Sequence, residues 1–208
     1  MGPGGLPMRF GIHIALFLLL AGASHALSIT GATEVAAPAE LARDSFDVDS
    51  VFYFAEAEEF TLEAALELDD GTVIAAGTVV DSYYVIYDPP ARTWLETTLE
   101  FDIPILGFVS LGSELRGTDF LGSPTTDYGR FSHRGFESAP GTSRRDSIDL
   151  AADGFSLDFL VRANSPGDAL RILTPHVAAP IPEPTTVWLL GLGLAALGRQ
   201  RKRRPAVA

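Results

Sequence analysis

Between Val51 and Thr174 the chain carries several short runs that alternate bulky and polar positions with a period of two, the period of a strand whose two faces meet different surroundings. Val51 to Phe54 is a short aromatic and branched run. Phe60, Leu62, Ala64, Leu66 and Leu68 alternate with Thr61, Glu63, Ala65, Glu67 and Asp69, predicting a strand with one wet face. Glutamate, alanine and leucine between Glu56 and Leu68 favour helix by propensity, but strict alternation outranks it. Asp70-Gly71 predicts a turn into a strand at Thr72 to Ala76. From Gly77 to Asp88 both faces carry bulk, with Val79, Asp81, Tyr83, Val85 and Tyr87 on one and Val80, Ser82, Tyr84, Ile86 and Asp88 on the other. Such a strand belongs in the middle of a sheet and ends at Pro89-Pro90. Leu95 to Ile103 alternates again, Ile105 to Leu111 resumes after Pro104, and Ser147 to Leu150 and Phe155 to Val161 flank the hairpin signal Asp153-Gly154. Phe155, Leu157, Phe159 and Val161 are expected on one face, and Leu170 to Thr174 adds a last strand. The predicted fold is all-β: a single antiparallel β-sandwich, with a jelly roll among the topologies considered, between an N-terminal signal helix and a short C-terminal hydrophobic helix.

The two ends carry different patterns. Arg9 precedes the apolar stretch Ile12 to Leu20, and small residues follow up to an expected cut after Ala26, the plan of an export signal. Translation could start at Met1 or at Met8. His13 and His25 fall in the discarded piece. At the other end Pro182-Glu183-Pro184 precedes the apolar run Val187 to Gly198 and the cations Arg199, Arg201, Lys202, Arg203 and Arg204. That run is about half the roughly 20 residues a membrane-crossing helix needs, so it is expected as a short transmembrane anchor. Its basic flank predicts a cytoplasmic end, with the inner membrane as a partner. The expected organisation is a signal peptide at 1–26, a flexible leader at 27–45 in which Leu27 to Ile29 could pair at a sheet edge, the β-sandwich at 46–174, a spacer at 175–181, an apolar tail with a basic flank at 182–204 and a disordered end at 205–208.

The Pro-Glu-Pro triplet, apolar run and terminal arginine cluster resemble the PEP-CTERM sorting signal of exported Gram-negative proteins. The resemblance implies that an exosortase, a membrane-embedded cysteine protease or transpeptidase, recognises Pro182, Glu183 and Pro184. It also implies an exported protein bound for the envelope, cell surface or extracellular matrix. The body resembles an uncharacterised β-rich domain of that group through Gly71 to Pro89, Arg134 to Glu137 and Ser165 to Thr174. That group often carries a histidine near Tyr83 or Tyr84, and the tyrosine pair here argues against a histidine-centred site.

Charge sharpens this picture. The chain has 27 acidic and 15 basic residues, and removing both targeting segments leaves 26 acids against 9 arginines, a net charge of −17. Such a field disfavours nucleic acid as a partner. Asp69, Asp70, Asp81 and Asp88 near turns offer hard oxygens for calcium, but their spacing does not match an EF-hand. No cofactor and no other metal is expected. Cysteine is absent, so there is no thiol nucleophile or thiolate zinc site, and a packed core must stabilise the domain. No G-x-S-x-G sequence is present, and Glu96, Glu100 and Asp102 read more simply as a wet strand face than as hydrolase acids.

Gly112 to Arg145 is the longest irregular stretch. Its Tyr128, Arg134 and Phe136 are candidates for binding a polysaccharide, the ring stacking on a sugar and the guanidinium bonding its hydroxyls. The competing reading has Phe131 and Phe136 closing one end of the sandwich, the arginines pairing with acids, and His133 exposed. The leading expectation is a non-enzymatic exported protein processed at its C-terminus. A carbohydrate-binding module is the alternative, and a polysaccharide hydrolase the third.

Overall fold

The computed structural model describes residues 27–42, 45–129, 134–136, 146–164 and 167–178. Ala26–Val177 form one compact unit. Its elements are β1 (Ile29–Thr30), β2 (Thr33–Glu34), β3 (Val48–Thr61), β4 (Leu66–Glu67), β5 (Val73–Ile74), β6 (Val79–Asp88), β7 (Leu95–Phe101), β8 (Gly107–Val109), α1 (Gly112–Gly117), a 3-10 turn (Asp119–Leu121), β9 (Ser147–Leu150), β10 (Ser156–Val161) and β11 (Asp168–Pro175). They make a four-stranded sheet in the order β1-β7-β10-β9, a five-stranded sheet in the order β2-β3-β6-β11-β8, and the separate hairpin β4–β5.

The two large sheets pack together through inward positions of the alternating strands. Leu99, Phe101, Leu157, Phe159 and Val161 from the first meet Tyr53, Tyr83, Val85, Leu170 and Ile172 from the second. The opposite face of β7 keeps Glu96, Thr98 and Glu100 in solvent. β6 has no such wet face. Its alternate positions Val80, Tyr84 and Ile86 lie in a second apolar cluster with Phe54, Leu62, Val109, Leu115 and Leu121. The five-stranded sheet is therefore covered on both sides, by the other sheet and by a cap that includes the β4–β5 hairpin, α1 and the 3-10 turn.

Several expectations need correction. The strand predicted from Phe60 to Leu68 stops at Thr61, opposite Val79, the first residue of β6, and Leu62 adds one more backbone pairing, with Thr78 and Gly77, before the two segments part. The remaining alternation shrinks to β4, which pairs with β5 across the Asp70-Gly71 turn. Phe155 is exposed, since Gly154 turns the chain at φ +75° just ahead of β10. The sheets are not wholly antiparallel, because β2 runs parallel to β3.

The expected flexible leader is part of the fold, and the edge pairing open to Leu27–Ile29 is realised at Ile29. Ile29 and Thr30 pair with Phe101 and Glu100, while Thr33 and Glu34 pair with Phe52 and Tyr53 in the other sheet. Gly31, at φ +96°, makes this rapid crossing: a side chain there would approach Thr98 O to 2.8 Å. Leu27 and Leu41, at 1% and 5% exposure, fill the two apolar clusters. Few in number among small polar residues, these apolar side chains are inconspicuous by composition and decisive by position.

The transmembrane helix, and with it the membrane, is also corrected. Among the described residues no helix is long and apolar enough to cross a membrane. The run Val187 to Gly198, the signal segment with Ala26, the sorting residues Pro182, Glu183 and Pro184, and the cations Arg199 to Arg204 lie outside the described residues.

Candidate functional site

The densest polar chemistry sits on the capped face of the five-stranded sheet. The register aligns Phe54, Tyr84, Arg171 and Val109 across β3, β6, β11 and β8, so a guanidinium stands in a row of apolar neighbours. Arg171 is 0% exposed. An isolated charge there would be very unfavourable, and such a group persists only when paired and hydrogen-bonded. Its partner comes from a bulge in β3: the register shifts between Ala55 and Ala57, and Glu56 turns into the cap side. Arg171 Nε and Nη2 donate to Glu56 Oε2 and Oε1 at 2.6 and 2.7 Å, a two-pronged pair. Ser82 Oγ adds a hydrogen bond to Oε2 at 2.7 Å.

The third arm of Arg171 holds the cap. Nη1 donates to Thr118 Oγ1 at 2.6 Å and to the Leu115 carbonyl at 3.1 Å. The same carbonyl also accepts the Thr118 hydroxyl at 3.2 Å, so arginine and threonine together close the C-terminal end of α1. A second arginine completes the arrangement. Arg134 Nη1 and Nη2 donate to Asp119 Oδ2 and Oδ1 at 2.9 and 2.5 Å, and Nε donates to Tyr84 Oη at 2.8 Å. Its guanidinium carbon lies 4.7 Å from the Tyr128 ring centre and 5.4 Å from that of Tyr84. Arg171 reaches the same Asp119 at 3.4 Å. Two guanidiniums and two carboxylates thus form a charge-balanced cluster.

Electrostatics reinforce this closure. Burial is the largest single effect on the Arg171 and Arg134 guanidiniums and would lower both, but the hydrogen bonds they donate to Glu56 and Asp119, together with the electrostatic pull of the surrounding carboxylates and phenols, outweigh it, and both rise. Burial pushes Tyr84 up to about 12 despite the opposing charge of Arg134. Tyr128 also rises, through burial and then the charge of Glu56. Neither phenol is poised to act as a base near neutrality. The residual space beside Tyr84, Tyr128 and Arg134 is about 20 Å³, room for a water molecule and far short of a sugar site.

The structure brings together only part of the candidate glycan site. Tyr128 and Arg134 stack, but they are 7% and 5% exposed, and the Tyr128 hydroxyl accepts the Ser123 amide hydrogen at 2.7 Å. Phe136, 8% exposed, belongs to the other cluster, where its ring meets Phe159. Gly135 separates the two destinations. Phe136 N donates to the Ser110 carbonyl just past β8, and a Cβ on Gly135 would come within 2.1 Å of that oxygen. The three side chains are packing elements of opposite faces rather than a surface for sugar. Phe131 and His133 lie outside the described residues.

The acids considered for calcium support backbone instead. Asp69 accepts hydrogen bonds from the Ser110 and Leu111 amides, and Asp70 from Thr72 in its turn. Asp81 accepts from Glu59 N, and Asp88 from Phe46 and Asp47 N. Glu59 and Asp47 have φ of 53° and 48°, so these carboxylates steady left-handed residues bordering the β3 irregularities. Among the described residues no group of three or more histidines, cysteines or acids is gathered to hold a metal ion.

Sequence reasoning did not single out Glu56, Asp119 or Arg171. The legible signal was Arg171 inside Ala169-Leu170-Arg171-Ile172-Leu173, a lone cation in a strand with apolar neighbours on both sides. Glu56 had no comparable mark, because the bulge that aims it is a tertiary feature.

The family model for the PEP-CTERM protein-sorting motif matches residues 180–204, which contain Pro182-Glu183-Pro184, the apolar run and the basic cluster. The chain carries this motif and is an exported protein processed at its C-terminus by an exosortase. No curated protein and no solved structure matches the chain.

Proposed function

We propose that the unit Ala26–Val177 is a non-enzymatic β-sandwich module that serves as a structural component of the envelope, cell surface or extracellular matrix after the sorting motif is processed. The sorting motif at 180–204 carries the reading, since it assigns a route and a processing enzyme to a domain that ends just before it. The closed polar cluster supports a structural role. Its two arginines bind the domain's own carboxylates, tyrosines and backbone, and its phenols stay protonated at neutral pH.

The test expresses the full chain, a Glu183→Ala variant and a chain ending at Ala178 in a host with an exosortase. The exported wild type should lose its C-terminal peptide by intact-mass measurement, while Glu183→Ala should retain it. The truncated chain should keep the same β-type circular dichroism. An exported wild type with an intact C-terminus would sink the processing role. Turnover of host polysaccharide by the purified domain would overturn the non-enzymatic reading.

A further inference from the structure

Close to the C-terminal end of the sheet, two contacts meet at one carboxylate oxygen. β11 pairs with β6 as far as Pro175 opposite Val80, and the ladder continues one residue further through His176 N, which donates to the Val79 carbonyl at 3.2 Å. The His176 ring turns back onto β6, placing Nδ1 2.9 Å from Asp81 Oδ1. That oxygen also accepts the Glu59 amide hydrogen at 2.7 Å. Glu59 is the left-handed residue at the β3 bulge. Asp81 thus ties together β3, β6 and the segment leaving β11. Val177, the next residue, is 40% exposed, and the sorting-motif match begins at residue 180.

We propose that the His176–Asp81 contact is a proton-dependent clasp on the C-terminal exit of the domain, setting which residue is the last held by the sheet ahead of the sorting motif. The proposal rests on the processing assigned to that motif and adds a control on its substrate segment. With the clasp closed, His176 is held against β6. With it open, His176 and then Pro175 can leave β6, and the stretch between the sheet and the motif met by the processing enzyme lengthens.

The proton dependence follows from the groups around the imidazole. Asp81 faces it from β6, and Glu58 and Glu59 act on it from β3. The hydrogen bond to Asp81 is the main reason that His176 is raised above its ordinary range; desolvation opposes it, and the charges of Asp81, Glu59 and Glu58 add to it. A base bound more tightly by protons in the folded state contributes stability that is complete below the unfolded value of about 6.5. That contribution fades as pH rises through the higher folded value. A neutral imidazole can still donate from Nδ1, so the clasp weakens rather than vanishes.

The experiment measures amide exchange at His176 in the full chain between pH 6 and 9, corrected for intrinsic rates. Imidazole titration is followed in parallel by NMR. Wild-type protection at His176 should fall roughly threefold across the titration, the size of losing charge assistance on one exposed hydrogen bond. His176→Gln, which cannot titrate, should show no step, and Asp81→Asn should return the imidazole to its ordinary range. Flat protection in the wild type, or the same step in His176→Gln, would overturn the clasp. Since this measurement contains no exosortase, its result is independent of whether the C-terminus is processed. In the processing host, His176→Ala should be cleaved faster than the wild type at pH 6.5. Equal cleavage rates there would overturn the link from clasp to processing while leaving the processing role intact.

Discussion

Arg171 converts a helical cap and three strands into one cooperative piece. Its three guanidinium nitrogens reach Glu56 on β3, Leu115 and Thr118 on the cap, and Asp119 beyond them. Removing the cation while leaving Glu56 buried should therefore be far worse than removing both. Arg171→Met is expected to destabilise the domain by about 3–5 kcal/mol, the range for breaking one side of a buried pair. Arg171→Met combined with Glu56→Leu should recover much of that loss. Urea unfolding of the singles and the double gives the coupling directly, and additive losses would mean the pair is not the organising contact. The need for a partner could be read from the cation in an apolar strand. Its identity could not, because Glu56 is aimed inward by an irregular register and Asp119 arrives from a cap far along the chain.

At the scale of elements, strands whose pairing is local were legible and those whose limits are set elsewhere were not. β9 and β10 follow their alternation and their Asp153-Gly154 hairpin, and β6 occupies the central place its two bulky faces imply. The end of β3 was hidden because it depends on where β6 starts. The cap was hidden because α1 is a single short helix with little periodicity to display. The leader shows the same effect: Leu27, Ile29 and Leu41 are buried, although their surroundings read as a tail. Starting the domain at Phe46 should accordingly cost several kcal/mol, since burying one such side chain contributes about 1.5–3 kcal/mol. Chemical denaturation should show a large fall in midpoint, and an unchanged midpoint would mean that the leader packs without stabilising. Gly135→Ala probes the other crossing. The Ser110 carbonyl it would strike is backbone and cannot swing aside, so a loss of about 1–3 kcal/mol is expected in the same measurement.

For the molecule as a whole, layering explains both the absence of cysteine and the fate of the tyrosines. A sheet covered on both faces gives a domain of this size enough buried surface to do without cross-links. It also draws all five tyrosines of the chain into or beside the two apolar clusters: Tyr53, Tyr83 and Tyr87 between the sheets, Tyr84 and Tyr128 beneath the cap. Every one of them is raised, with burial the largest cause in each case. Neighbouring acids such as Asp81 beside Tyr83 and Asp49 beside Tyr87 add to it. An acid whose folded value lies above its unfolded one supports the fold fully below the unfolded value, here about 10, and that support is lost as pH rises through the folded value. Stability contributed by the tyrosines should therefore hold through neutral and mildly alkaline pH and fall between about 10 and the value of about 12 reached by Tyr83 and Tyr84. The strongly acidic surface pushes the same way, because ionising phenols adds negative charge to a domain already at −17. Phenolate absorbance should then stay low through pH 10 and rise in one steep step that coincides with loss of β-type circular dichroism. A gradual rise centred near 10 with the circular dichroism intact would show that the tyrosines are in contact with water, and that the cap and the sheet-to-sheet core are not closed around them.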